Sequence, residues 1–170
     1  MNRIHKILSF VIASLLILPT VLLAGQFKVI KVYDGDTIKA EGYDIVIKVR
    51  LVGIDTPEIP RKNRPGQPYG YEAKIALARL ILDKEVEIKG YGLDRNNRIL
   101  GVIYLEGKNI NIEMVRAGLA EVYRGGRPRD LNLDPFWLAE KEATEALRGI
   151  WSLGDEYISP REWRRIDKGK

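Results

Sequence analysis

Residues 49–58 read Val-Arg-Leu-Val-Gly-Ile-Asp-Thr-Pro-Glu, an apolar run with one arginine that breaks at Thr56-Pro57. Proline pushes the residue before it toward extended backbone and has no N–H for a ladder, so the run reads as a strand that ends here. Its rim then carries Asp55, the Thr56 carbonyl and Glu58. Strict alternation puts Arg50 and Asp55 on opposite faces. A bulge or twist at Gly53 brings both to one place. Taken alone, these ten residues describe either a site or a polar strand end with a surface ion pair.

The stretches around this strand decide what it belongs to. Residues 26–33 are β-branched and aromatic, Asp34-Gly35-Asp36 is a turn signal, and 37–41 returns as a second strand. Residues 45–54 form a long third strand. A loop with prolines 60, 65 and 68 and the cations Arg61, Lys62 and Arg64 follows. Ala73, Leu77, Leu80 and Ile81 make one apolar stripe of a helix over 69–82. Two more strands, 85–91 and 98–105, flank the polar turn Asp94-Arg95-Asn96-Asn97. A short helix with Asn109 or Asn111 as N-cap and Gly118 as C-cap comes next. A basic loop over 124–133 leads to a last helix over 135–148. Asp134 is its expected cap and Ala139, Ala143, Ala146, Leu147 and Ile150 its stripe. Five short strands with a helix after the third suit an α+β, mostly β fold, a five-stranded Greek-key barrel of OB-fold type with three helices, and the spacing alone leaves other α+β layouts open.

The chemistry open to such a barrel is narrow. Among 170 residues there is no cysteine, and the one histidine is His5. Disulfides, Cys/His zinc sites and Ser-His or Cys-His nucleophiles are therefore excluded from residue 26 onward. Arg3 and Lys6 precede an apolar run, 7–24, which reads as an export signal or, being roughly 18 residues long, as an uncleaved membrane anchor. Either places the domain beyond the membrane, secreted or in the cell envelope or periplasm. The expected division is 1–25 as signal, 26–153 as the folded domain and 154–170 as a charged tail anchored by Trp163. Without residues 1–25, 26 basic and 23 acidic residues remain, a net charge of +3. That permits a polyanion partner without requiring one. No small-molecule organic cofactor is expected, and monomer is the default state.

Strand ends gather Asp34, Asp36, Arg50, Asp55, Thr56, Glu58, Arg95 and Arg98. Carboxylates and arginines without histidine suit metal-assisted attack on a phosphodiester. Oxygen ligands hold a hard cation such as Ca²⁺, the cation and arginines stabilise charge on phosphorus, and a carboxylate handles the water. The acidic turn is not an EF-hand, because Ile45 stands where its glutamate belongs.

Val-Tyr-Asp-Gly-Asp-Thr (32–37), the 49–58 segment, Tyr-Gly-Tyr-Glu-Ala (69–73), Asp94 with Arg98, Asn-Ile-Glu-Met-Val-Arg-Ala-Gly-Leu-Ala (111–120) and Gly-Ile-Trp (149–151) occur in that order. In this the chain resembles the staphylococcal nuclease (thermonuclease) family over 27–151. The resemblance implies the same barrel and a Ca²⁺-dependent endonuclease acting on DNA and RNA to leave 3′-phosphate ends. It implies Asp36 and Asp55 as calcium carboxylates, the Thr56 carbonyl as a further ligand, and Glu58 as the residue that orients or deprotonates water. Arg50 and Arg98 correspond to the phosphate-binding arginines.

The chain departs from the family's pattern at two tyrosines. Asn96 stands in place of one, leaving Arg95 to reach a terminal phosphate. Arg124 aligns with the base-stacking one, leaving Tyr123 as the candidate stacking platform. The alternative is a catalytically inactive OB-fold module that binds single-stranded nucleic acid or a protein partner. A relic of that kind would be expected to have lost part of the site, and Asp36, Arg50, Asp55, Glu58 and Arg98 are all present.

Overall fold

Three strands run as an antiparallel meander: β1 (Gln26–Val32), β2 (Thr37–Gly42) and β3 (Ile45–Leu51). The hairpin between β2 and β3 turns on Tyr43 and Asp44, both at positive φ (52° and 58°), the conformation that matches strand twist in a tight hairpin. The structure is a computed structural model that describes residues 26–62 and 64–166. The export segment expected over 1–25 and the end of the tail lie outside the described residues. Among the described residues no helix is long and apolar enough to cross a membrane.

Strand β5 (Glu85–Leu93) pairs antiparallel with β1 and with β6 (Ile99–Leu105). The sheet closes where β6 meets β3 in parallel, with Val49 opposite Ile99, Arg50 opposite Leu100 and Leu51 opposite Gly101. Gly101 permits this seam, since a Cβ there would lie 2.7 Å from Val49 Cγ1. The ring β1-β2-β3-β6-β5 is the five-stranded barrel of OB-fold type that the strand spacing predicts. Val29, Ile38, Val49, Leu51 and Ile103 fill it, all fully buried.

Helix α1 (Gly70–Ile81) closes one end with Ala73, Leu77 and Ile81 buried, as its stripe predicts. A short β7 (Lys108–Asn109) leads into α2 (Ile110–Arg116), where Asn109 caps the helix by accepting from Ile112 N at 3.1 Å. Asn111 lies inside that helix, fully buried. Its Nδ2 donates to Val52 O (2.9 Å) and Gly101 O (3.0 Å), and its Oδ1 accepts from Ile103 N (3.1 Å). One side chain thereby ties α2 to the seam and to the turn after β3.

Three expectations need correction. The third strand is not continuous over 45–54. It stops at Leu51, and Ile54–Asp55 (β4) pairs instead with Glu121–Val122 (β8). Gly53, at φ +85°, makes the break. The last of the three expected helices, α3 (Asp134–Glu145), is capped at Leu133 without a side-chain bond, and it ends before Ala146 and Leu147. Its buried face is Phe136, Ala139, Glu140 and Ala143, while Leu147 is exposed. Finally, a 3-10 helix (Gly149–Glu156) and α4 (Pro160–Ile166) follow α3, so the described residues hold five helices rather than the expected three, and the expected tail is helical over Pro160–Ile166.

Candidate functional site

The turn after β1 is built to approach other backbone closely. Asp34 Oδ1 accepts from Asp36 N at 3.2 Å, an Asx turn. Gly35 packs where a Cβ would sit 2.8 Å from Ala73 Cβ and 2.9 Å from the Thr56 side chain. The absence of a side chain there brings Asp36 against the Asp55-Thr56 strand end. Asp36 is buried (3% exposed) and accepts from Thr37 Oγ1 at 2.9 Å.

Arg50 joins the two buried carboxylates. Its Nη1 donates to Asp36 Oδ1 at 3.0 Å and its Nη2 to Asp55 Oδ1 at 3.1 Å. The break at Gly53 therefore does what alternation forbids and brings Arg50 and Asp55 together. Burial pushes the Asp36 carboxyl up to about 7; Arg50 opposes that rise, and the charges of Asp34 and Asp55 add to it. Burial works against the Arg50 charge, but Asp36 and Asp55 outweigh it and hold the guanidinium protonated.

These residues test well as holders of a hard cation. Asp36 and Asp55 share one guanidinium, Thr56 packs on the turn that carries Asp36, and every donor is oxygen. Among the described residues no group of three or more acidic or histidine side chains could hold a metal, so the set would consist of two carboxylates and the carbonyl.

Glu58 stands on an irregular segment fixed by Gln67. Glu58 N donates to Gln67 Oε1 (2.9 Å), and Glu58 O accepts from Gln67 N (2.8 Å). Gly70 lets α1 approach, because a Cβ there would lie 2.5 Å from Glu58 O. The Glu58 carboxylate is 22% exposed, wet enough to meet a water and held from behind.

The second arginine is positioned by its own turn. Asp94 Oδ1 accepts from the backbone N–H groups of Asn96 (2.8 Å) and Arg98 (3.0 Å), and Asp94 Oδ2 accepts from Arg98 Nε (2.8 Å). Burial alone would raise the Asp94 carboxyl, but the hydrogen bonds from Arg98 and Asn96 win and hold it at about 2. The parallel seam sets Arg50 beside Leu100, two positions from Arg98, and both arginines line one cleft.

A cleft of about 690 Å³ collects Arg50, Glu58, Arg95, Arg98 and Tyr123 along its walls. Asp36 and Asp55 reach it through Arg50, and Thr56 packs on the turn that carries Asp36. Tyr123 packs over Gly125, where a Cβ would fall 2.3 Å from its hydroxyl, and its N–H donates to Gly53 O at 2.9 Å. Arg124 has a different task. Its Nη2 meets Glu140 Oε2 at 2.9 Å, and Glu140 Oε1 accepts from Val122 N at 2.8 Å, so the pair braces β8.

Sequence reasoning missed one residue of this site. Arg164, on α4, donates from Nη2 to Asp55 Oδ2 (2.6 Å) and from Nη1 to Asp55 Oδ1 (3.0 Å) and Glu58 Oε1 (2.8 Å). Burial opposes its charge, but the bonds and charges of Asp55 and Glu58 more than compensate and raise it further above the ordinary arginine range. Pro160 signals a helix start there, but no local signal marks Arg164 as a partner of Asp55 and Glu58.

Comparison with known proteins is consistent with this geometry. The family described as staphylococcal nuclease homologue matches residues 48–153. An uncharacterized endonuclease of Haemophilus influenzae is 36% identical over 165 residues, covering 92% of this chain and 85% of that protein. A micrococcal nuclease of Shigella flexneri is 36% identical over 151 residues, covering 83% of this chain and 81% of its own. A probable endonuclease of Paracoccidioides lutzii is 32% identical over 143 residues, 75% of this chain but only 40% of that longer protein.

Proposed function

Because the chain belongs to the staphylococcal nuclease family, we propose that it is an exported, calcium-dependent endonuclease that hydrolyses phosphodiester bonds of DNA and RNA and leaves 3′-phosphate ends. The observation that carries this reading is that one cleft is lined by Arg50, Glu58 and Arg98 together, with Asp36 and Asp55 gathered on Arg50.

Each side chain has a physical task in that reaction. Arg50 and Arg98 donate to the non-bridging phosphate oxygens and are stiffened for it by Asp36, Asp55 and Asp94. Neither needs to reorganise when negative charge grows on phosphorus. Glu58 accepts a hydrogen bond from the attacking water and takes its proton. Arg95 supplies a further cation for a flanking phosphate, and Tyr123 a ring face for a base. Asp36, Asp55 and the Thr56 carbonyl would hold Ca²⁺, which when bound supplies further positive charge to the phosphate. Residues 1–25 support export, with cleavage leaving a soluble monomer and retention leaving an anchored one.

Digestion of single-stranded DNA and RNA, with Ca²⁺ or with a calcium chelator, tests the reading beside Glu58→Gln and Arg98→Ala. Calcium-dependent cleavage that falls by about 10²-fold or more in each variant is expected. Tight DNA binding without cleavage under any divalent ion would instead support a binding module. Mass spectrometry of the product from expressing cells reads the N-terminus directly.

A further inference from the structure

The segment after α3 returns across the molecule to the site, and beyond Ile150 three side-chain hydrogen bonds fasten it on the way. Tyr69 Oη and Ser152 Oγ lie 2.8 Å apart, and Tyr157 Oη donates to Glu121 Oε2 at 2.5 Å. Gln67 makes the third attachment. Its Nε2 donates to Ile158 O at 2.9 Å while its Oε1 holds Glu58 N. The residue that shapes the Glu58 segment thus also docks the chain entering α4. That path ends with the Arg164 guanidinium between Asp55 and Glu58.

The consequence lies in the lone pairs of Asp55. Its Oδ2 receives Arg164 Nη2, and its Oδ1 receives both Arg50 Nη2 and Arg164 Nη1. Both oxygens of this carboxylate, 1% exposed, are occupied by positive groups. A divalent cation needs the same oxygens and repels the same guanidinium. Arg164 is one-third exposed and rides on a seven-residue helix, whereas Arg50 stands on a barrel strand. Of the two arginines, Arg164 is the one free to leave.

We propose that Arg164 is an internal occupant of the cation position, so that a divalent metal ion takes Asp55 only as α4 lifts away and metal binding and undocking of 157–166 form one equilibrium. This rests on reading Asp55 as a metal ligand. In the metal-free chain the guanidinium neutralises Asp55 and Glu58 and closes the cleft on that side. Docking then lowers the apparent metal affinity by the fraction of chains still undocked. A single charge-assisted bond of this kind corresponds to about tenfold to a hundredfold, so even one net bond lost on undocking sets a tenfold effect.

The test uses the full chain and calcium alone. Calcium affinity is measured by calorimetry for wild type, Arg164→Met and Arg164→Lys, and amide hydrogen exchange is followed over 157–166 with and without calcium. The expected result is calcium bound at least tenfold more tightly by Arg164→Met, with Arg164→Lys intermediate. In wild type, calcium should speed exchange in α4 while slowing it near Asp36 and Asp55. Equal calcium affinity in wild type and Arg164→Met would overturn the inference and leave the metal reading intact. Weaker affinity in Arg164→Met would also overturn it, by making Arg164 a support of Asp55 rather than its competitor. Absence of calcium binding in all three chains would remove the metal reading and the inference with it.

Discussion

Asn111→Ala should be among the most damaging single changes available in this chain, and its cost can be worked from three bonds. The wild-type amide serves Val52 O, Gly101 O and Ile103 N. Gly101 O keeps a second partner in Val52 N at 2.9 Å. Val52 O and Ile103 N lose this partner at buried positions, 6% and 0% exposed. An unsatisfied buried backbone group costs about 1–3 kcal/mol, so two cost about 2–6 kcal/mol. Against a total stability of about 5–15 kcal/mol, that is a large fraction. Urea unfolding followed by tryptophan fluorescence reads it. With a slope near 2 kcal/mol/M, a loss of about 4 kcal/mol moves the midpoint down by about 2 M. Exchange of the Ile103 amide should accelerate relative to its neighbours. Asn111→Asp keeps the shape but turns the donor into an anion facing two carbonyls, so its carboxyl should titrate above the unfolded value. Its deficit against wild type should therefore grow as pH rises from about 4 to 8. An Asn111→Ala midpoint within about 0.3 M of wild type would refute the accounting.

Two further outcomes follow from the site itself. Asp94, held at about 2, contributes stability that is fully present above its unfolded value near 3.9 and is lost as pH falls through 2. Asp94→Asn should remove about 1–2 kcal/mol at pH 7 and nearly nothing at pH 2, as measured by unfolding at both pH values. Gly35→Ala forces a methyl to within 3 Å of Ala73 and Thr56; the Asp36 turn must retreat, so calcium binding should weaken at least tenfold while the circular dichroism spectrum stays that of the folded barrel.

Much of the barrel was legible because its information is local. Strand runs, the Asp-Gly-Asp turn and the α1 stripe each report on residues within a few positions of one another. Gly53 was legible for a different reason. Arg50 and Asp55 could not share a site without a break between them, and only glycine takes the backbone needed at +85° without strain. The split of the third strand was not legible, because an apolar run has the same composition whether it pairs with one neighbour or changes partner halfway. The α3 stripe was read one turn too far, since nothing in Ala146 and Leu147 announces the positive φ at Leu147. Arg164 was invisible for a stronger reason. Its partners lie 106 and 109 positions away, and an arginine on a charged terminal helix looks like any solvated side chain. Buried Asn111 and Glu140 belong to the same class: polar residues whose worth is set by distant backbone.

The seam between β3 and β6 has a kinetic meaning. Val49 and Ile99 are neighbours there although half a hundred residues separate them, and parallel strands cannot be joined by a tight turn. The β1-β2-β3 meander can form from contacts a few residues apart, within microseconds. The seam must wait for the loop, α1 and the second hairpin to be in place, so closing it carries the entropy of a long loop. Arg98 joins Arg50 on the cleft only at that step. Until then the chain is a twisted sheet with both edges open, and a folding intermediate can be largely structured, with Asp36 already on Arg50, while lacking the second arginine.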